Sequence, residues 1–256
     1  MKIIINTASL SPAWHKSSRG LLLFYLASLF ALTITGFVFK IVFFVYNQSS
    51  IGEMSWSDML YAAFWGLRFD LASAAMISLL MCLGLWLYYR LSRYQFALSD
   101  KNQFSRSAKT LFLLALIVEM SLQTSDAMYF VDAGRHVSYE MRDVVADASG
   151  LLMTAITHHG IFILASILIG FITMLGLIFI LQRVLSFASN QADFSLPFKL
   201  QYEAVFFLIL FVSVILVRGG FGGLPQSVIT AFKIGDAKQA IVAMNGTYSI
   251  VYGALN

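Results

Sequence analysis

The sequence predicts an all-α membrane protein, a bundle of five transmembrane helices accompanied by interfacial helices. Hydrophobic residues make up 59% of the 256 and charged residues 12%, against about 25% charged in an average soluble domain. The mean hydropathy is +0.79. Several apolar runs approach the roughly 20 helical residues that cross a bilayer core of about 30 Å. This composition excludes an ordinary soluble enzyme, and it excludes a disordered chain, which needs low hydrophobicity.

Five segments are predicted to span the membrane: residues 20–46, 71–89, 110–130, 161–181 and 204–217. The first is too long for a cleaved signal peptide, and no small-residue cleavage site follows it, so we expect it to remain as a helix. The fifth reaches spanning length only when residues 198–203 are added, and a shorter run of this kind can also be re-entrant.

Basic residues predict the orientation. Ten Lys and Arg residues lie in the tail and loops on the side of the N-terminus, and five lie on the opposite side. Because cytoplasmic loops carry the excess of Lys and Arg, we expect a cytoplasmic N-terminus, an extracytoplasmic C-terminus and a place in the inner cell membrane. The net charge of +4 follows from this topology, so no nucleic-acid partner is predicted.

Two segments between the spans have interfacial character. Residues 55–69 are rich in aromatic side chains, which favour the membrane–water boundary. Residues 136–152 carry apolar side chains at spacings of three and four, with acidic side chains on another face, as in a helix that lies in the interface. Cys82 is the single cysteine of the sequence, so no intramolecular disulfide can form.

Polar residues on the third span are the first candidates for a site. Glu119, Gln123 and Asp126 share one helix face at spacings of four and three. Ionisable groups at such depth face a bundle interior, a cavity or a partner. They predict either a cleft that receives a lipid headgroup or a proton, or a structural pair that holds helices together.

Charged residues near the predicted outer boundary extend the candidate site. Arg68 is expected to bind a lipid phosphate or to pair with Asp126, and Asp70 is expected beside it. Arg135 and Arg218 are further phosphate candidates, whereas Lys40 is expected to extend its amine to the outer surface. His136 and Glu140 are four residues apart, but a metal site needs at least a third protein ligand, so no metal site and no cofactor are predicted in this chain.

The sequence divides into a transmembrane domain over residues 1–217 and an extracytoplasmic connector over residues 218–256. Five glycines between positions 218 and 235 allow sharp turns along a surface. The connector contains none of the Walker, dinucleotide-binding or nucleophile-elbow motifs. We expect it to lie along the membrane and to lead towards a further domain.

Four short motifs carry a family resemblance that covers nearly the whole chain. They are GLRFD at 66–70, SDAMYF at 125–130, RGG at 218–220 followed by Pro225, and MNGTYS at 244–249. Together with five spans they resemble the membrane part of the lipoteichoic acid synthase-like family. Its members are phosphoglycerol transferases related to phosphoethanolamine transferases and sulfatases.

The resemblance implies a phospholipid partner, phosphatidylglycerol or phosphatidylethanolamine, presented at the outer leaflet. It also implies an alkaline-phosphatase-like catalytic domain with a threonine nucleophile and manganese. No residue of this sequence matches those catalytic groups, so we expect no catalysis from these residues. Two other functions stay open: a small transporter or channel subunit that uses Glu119 and Asp126 for proton coupling, and a non-catalytic membrane scaffold.

Overall fold

The computed structural model describes residues 15–91, 101–138, 140, 148–189, 198–222 and 225–255. All regular elements in these ranges are helical. They are α1 (His15–Ile51), α2 (Trp56–Trp65), α3 (Leu67–Leu91), α4 (Lys101–Ala133), α5 (Ala148–Ser189), α6 (Phe198–Arg218), a 3-10 helix (Val228–Ile234), α7 (Ala237–Ala243) and α8 (Gly246–Leu255).

Five of these helices are long and apolar enough to cross a membrane, as predicted. The apolar stretches are Gly20–Ile51, Leu67–Tyr88, Arg106–Ala133, Ser149–Arg183 and Leu200–Arg218. The fifth is one continuous helix, because residues 198–203 extend the apolar run to 21 residues. The chain is therefore a multi-pass membrane protein.

Helix α1 lies at the centre of the bundle and packs against α3, α4, α5 and α6. Apolar side chains fill the half of the bundle where α1 begins and α3 ends, including Phe24, Leu85 and Phe112, each at most 1% exposed. At the other end α1 and α4 finish, while α3 and α5 begin. We call this the capped end, because α2 and residues 225–255 cover it.

Helix α2 confirms the predicted interfacial segment. Ser55 caps its N-terminus by accepting a hydrogen bond from the Asp58 backbone N–H at 3.1 Å, as small polar residues do at helix starts. Met59 and Ala62 are buried, whereas Trp56 and Phe64 are more than half exposed. The helix therefore presents aromatic rings outward at the end of the bundle.

The predicted interfacial helix over residues 136–152 is not found as such. His136 to Ser138 are non-helical, and residues 148–152 form the first turns of α5. Residues 139 and 141–147 lie outside the described ranges. Helix α5 has 42 residues with non-helical backbone angles at His159, so its first part and its span are joined at a kink.

Candidate functional site

A sealed cluster of polar side chains lies inside the capped end. Its members come from three spanning helices and from the segment that follows α7: Lys40, Asp70, Glu119, Gln123, Asp126, His136, Asn245 and Thr247. None of these side chains belongs to a residue more than 7% exposed. Buried polar groups are costly without partners, so the geometry of each pair matters.

Lys40 and Asp70 form the first pair. The Lys40 amine donates to Asp70 Oδ2 at 2.8 Å and to the Gly66 carbonyl at 2.8 Å. Lys40 is 2% exposed and Asp70 is 1% exposed. The prediction that Lys40 extends to the outer surface is therefore wrong, because the lysine turns inward to a carboxylate on the neighbouring span.

Asn245 completes the coordination of Asp70. Its side-chain amide donates to Asp70 Oδ1 at 2.7 Å, and its side-chain oxygen accepts from the Tyr248 backbone N–H at 3.0 Å. The Asn245 side chain thus starts α8 and anchors it to α3. Since one oxygen of Asp70 faces Lys40 and the other Asn245, the carboxylate is bonded on both sides.

Asp126 and His136 form the second pair. Asp126 Oδ2 lies 2.6 Å from His136 Nδ1, and Asp126 Oδ1 accepts the Val137 backbone N–H at 2.9 Å. The other ring nitrogen of His136 donates to the Ile241 carbonyl at 3.0 Å. Both ring nitrogens therefore face acceptors, an arrangement that suits the doubly protonated imidazolium.

The electrostatics of His136 agree with this geometry. Burial by itself lowers the pKa of an imidazole, but the Asp126 carboxylate and the hydrogen bonds outweigh burial and raise the pKa of His136. The nearby Lys40 ammonium opposes this increase. The cluster consequently favours a charged His136 whose partner is Asp126.

The predicted pair of Arg68 and Asp126 is wrong. Asp126 bonds His136 and Val137 instead, as described above. The Arg68 guanidinium lies over the Trp65 ring, 3.1 Å from the ring centroid, and its Nε donates to the Trp65 carbonyl at 3.2 Å. The sequence could not show this, because the loop after Ala133 returns His136 to the carboxylate.

Glu119 lies deepest in the cluster, about 21 Å along α4 from its end at 1.5 Å per residue. The Gln123 side-chain amide donates to Glu119 Oε1 at 2.9 Å, which confirms that these two residues share a face. Asn245 and Thr247 approach the same carboxyl, and Asp70 faces it from α3. Glu119 therefore contacts the tail as well as its own helix.

Two glycines allow the backbone to approach the charged side chains. A Cβ at Gly246 would lie 2.5 Å from Asp126 Oδ2, and a Cβ at Gly66 would lie 2.1 Å from the Ala243 carbonyl oxygen. Contacts below 3.0 Å are not tolerated by real Cβ atoms. Glycine at these positions thus lets the segment around Gly246 enter between α3 and α4.

Residues 225–255 are consequently an integral part of the bundle. Asn245, Thr247 and Ser249 are at most 3% exposed, and the Tyr248 hydroxyl donates to the Gln226 carbonyl at 2.8 Å. Burial, with a smaller effect of Tyr252, raises the pKa of Tyr248 to about 12. The expected surface connector is instead inserted into the bundle here, while the domain beyond it stays a prediction.

The remaining predicted candidates lie outside the sealed cluster. Arg135 is half-exposed and pairs with Glu140. Burial opposes ionisation of Glu140, but the Ser138 backbone N–H and the Arg135 guanidinium help to lower its pKa. Arg218 is exposed at the end of α6, where its carbonyl accepts the Gln226 N–H at 2.9 Å. His159, predicted as interfacial, bonds the Tyr46 hydroxyl at 2.6 Å.

No protein-family model, no curated protein and no solved structure matches this chain. The family resemblance therefore depends on the four motifs alone. In the described residues, no group of three or more His, Cys, Asp or Glu side chains has the geometry to hold a metal ion.

Proposed function

We propose that this chain is the membrane part of a phosphoglycerol- or phosphoethanolamine-type transferase and presents a phospholipid donor at the outer leaflet. Three of the motifs that carry the family resemblance meet in the structure. Asp70 of the first is bonded to Asn245 of the last, and Asp126 of the second lies against Gly246 of the last. Segments that are far apart in sequence thus build one site, which supports a shared role.

Arg68 is the observation that carries the proposal. It is half-buried at the start of α3, with its guanidinium held flat on Trp65. Within the described ranges, no hydrogen bond or ion pair to another residue occupies its terminal nitrogens. A planar guanidinium with free N–H groups is suited to a phosphate, which it binds in bidentate geometry.

Burial separates the predicted headgroup candidates into two groups. Asp70, Glu119 and Asp126 are each 1% exposed, so a headgroup does not reach them in this conformation. Arg68, Arg135 and Arg218 are more accessible. We therefore assign headgroup contact to Arg68, and we assign to the acidic residues the task of fixing the capped end on which it stands.

The orientation of the capped end belongs to the same proposal. The excess of Lys and Arg on the N-terminal side of the spans places the capped end at the outer leaflet of an inner membrane. In the complete enzyme that the resemblance implies, a nucleophile would take the headgroup unit, release diacylglycerol and pass the unit to a hydroxyl acceptor. No residue of this chain is assigned to those chemical steps.

The test is lipid-dependent stabilisation in detergent. A ligand that binds only the folded state raises the apparent melting temperature. We expect phosphatidylglycerol to raise the Tm of the wild-type protein, and Arg68→Ala to reduce that increase. Arg90→Ala is the matched control, because Arg90 lies at the other end of α3 with its guanidinium 4.8 Å from the Trp86 ring centroid.

Two results would contradict the proposal. One is an equal lipid-induced increase in Tm for the wild-type protein and Arg68→Ala. The other is an equal reduction for Arg68→Ala and Arg90→Ala, since that would indicate a general charge effect. Parallel titrations with phosphatidylethanolamine and phosphatidylcholine report which headgroup is preferred.

A proton-coupled transporter subunit is the second candidate, and one observation favours it. Charged side chains inside the bundle come from three spanning helices, Lys40 from α1, Asp70 from α3 and Glu119 with Asp126 from α4. Intramembrane ionisable groups mark ion or proton pathways in many transporters. Proton flux into liposomes containing the purified protein, lost in Glu119→Gln, would favour this function over lipid presentation.

A further inference from the structure

We infer that Glu119 is a proton-binding site and that its bound proton joins the tail segment to the transmembrane bundle. Two buried polar atoms lead to this inference. Glu119 Oε2 and Thr247 Oγ1 are both buried, and neither has a hydrogen bond to a described residue. They belong to neighbouring side chains, because Thr247 acts on the Glu119 carboxyl.

A single proton on Glu119 satisfies both atoms. A carboxylate oxygen only accepts hydrogen bonds, whereas a protonated carboxyl group also donates one. The Oε2–H group then donates to Thr247 Oγ1, while Oε1 keeps its bond from the Gln123 amide. Leaving two such atoms buried and unpaired would be costly, so the protonated form fits the packing.

The charge balance of the sealed cluster leads to the same conclusion. Lys40 is paired with Asp70, and His136 is paired with Asp126. Glu119 is the fifth ionisable member and has no cationic partner among the described residues. An ionised Glu119 would thus add an uncompensated negative charge beside Asp70, in surroundings where isolated charges are expensive.

The surrounding elements offer no other compensation in the described ranges. Arg68 from the start of α3 lies over Trp65, and His159 from α5 bonds Tyr46 and faces Asp132. The tail contributes only the neutral side chains of Asn245 and Thr247 to Glu119. Loss of the proton would place a carboxylate against Thr247 and Asp70, so proton release is coupled to loosening of the tail.

Infrared spectroscopy of the detergent-solubilised protein tests proton binding directly. At neutral pH we expect a C=O stretching band of a protonated carboxylic acid that shifts in heavy water and is missing in Glu119→Gln. Glu203→Gln is the control, since Glu203 bonds Trp86 and pairs with Arg90 on α3. That variant should keep the band. A wild-type spectrum without the band, or a band that survives in Glu119→Gln, would overturn the inference.

Hydrogen exchange tests the coupling to the tail. The amides of Tyr248 and Ser249 bond to Asn245 and report whether the segment is docked. At alkaline pH they should exchange several times faster in the wild-type protein than in Glu119→Gln, which mimics the protonated form at every pH. Equal exchange in both proteins would overturn the coupling.

A variant that cannot fold and a bound metal ion are also distinguishable outcomes. Glu119→Gln should melt at or above the wild-type temperature, because an amide replaces a neutral acid of the same shape. A large decrease in Tm would contradict a proton on Glu119. Sodium chloride that stabilises the wild-type protein more than choline chloride at equal ionic strength, with this difference lost in Glu119→Gln, would indicate a bound cation instead.

Discussion

The side-chain amide of Asn245 donates to Asp70 Oδ1 at 2.7 Å and joins two residues that are 175 positions apart. Asp70 opens the second span, and Asn245 lies between the two last helices of the tail. Because the same carboxylate bonds Lys40 of the first span, one acidic side chain connects three parts of the chain. The capped end depends on this connection.

Removing the Asn245 side chain should destabilise the fold. Asn245→Ala leaves Asp70 Oδ1 buried without its donor, which costs roughly 1–3 kcal/mol for an unsatisfied buried group. The measurement is the free energy of unfolding in detergent. Gln48→Ala is the control, because Gln48 lies exposed on α1. A loss no larger than that of the control would show that the hydrogen bond does not form.

The pair of Lys40 and Asp70 should show strong coupling. Removing one partner of a buried ion pair leaves an uncompensated charge and costs about 3–5 kcal/mol. We therefore expect Lys40→Met to be strongly destabilising and Lys40→Met with Asp70→Asn to be milder. Unfolding free energies of the two single variants and the double variant give the coupling energy. Additive effects would argue against a direct pair.

The position of Gly246 should not accept a side chain. A Cβ there would meet Asp126 Oδ2 at 2.5 Å, so Gly246→Ala should displace the tail and lower the Tm. Gly176→Ala is the matched control, since a Cβ at Gly176 in α5 meets nothing within 4 Å. Alanine is favoured over glycine within a helix by about 1 kcal/mol, and the control should keep or raise the Tm.

Stability should depend on pH through His136. The folded protein raises the pKa of His136 above the ordinary value of about 6.5. The stabilisation that His136 contributes is therefore fully present below the ordinary pKa and is lost as pH rises through the raised pKa. Relative to the wild-type protein, His136→Gln should have a lower Tm at pH 6, and the difference should shrink at alkaline pH.

The exposed neighbour His158 provides the control for this pH dependence. His158 lies on the surface of α5, so His158→Gln should follow the wild-type curve at every pH. A Tm difference between His136→Gln and the wild-type protein that stays constant from pH 6 to alkaline pH would exclude protonation as its cause. Such a result would leave only a packing role for the imidazole.

Hydropathy was sufficient to predict the five spans, because spanning length and apolar composition are properties of local sequence. The shared face of Glu119 and Gln123 was also predictable from helical spacing. The partners of Lys40 and Asp126 were not. Each lies across a turn or a loop from its partner, and sequence spacing gives no information about where a loop returns.

The insertion of the tail had a signal that was read differently. Residues 244–249 combine small and uncharged polar side chains next to apolar ones, a composition that suits a turn packed between helices. The glycines upstream of them suggested a surface path instead. The decisive contact is the close approach of Gly246 to Asp126, and this is visible only in three dimensions.

The central functional claim is that a phospholipid headgroup binds at the capped end beside Arg68. A phosphatidylglycerol analogue with a photoreactive group next to its phosphate tests this most directly, with cross-linked peptides identified by mass spectrometry. We predict cross-links in the peptide that contains Trp65 and Arg68, reduced several-fold in Arg68→Ala and unchanged in Arg90→Ala. Cross-links confined to the lipid-exposed faces of α5 and α6, or unaffected by Arg68→Ala, would contradict the claim.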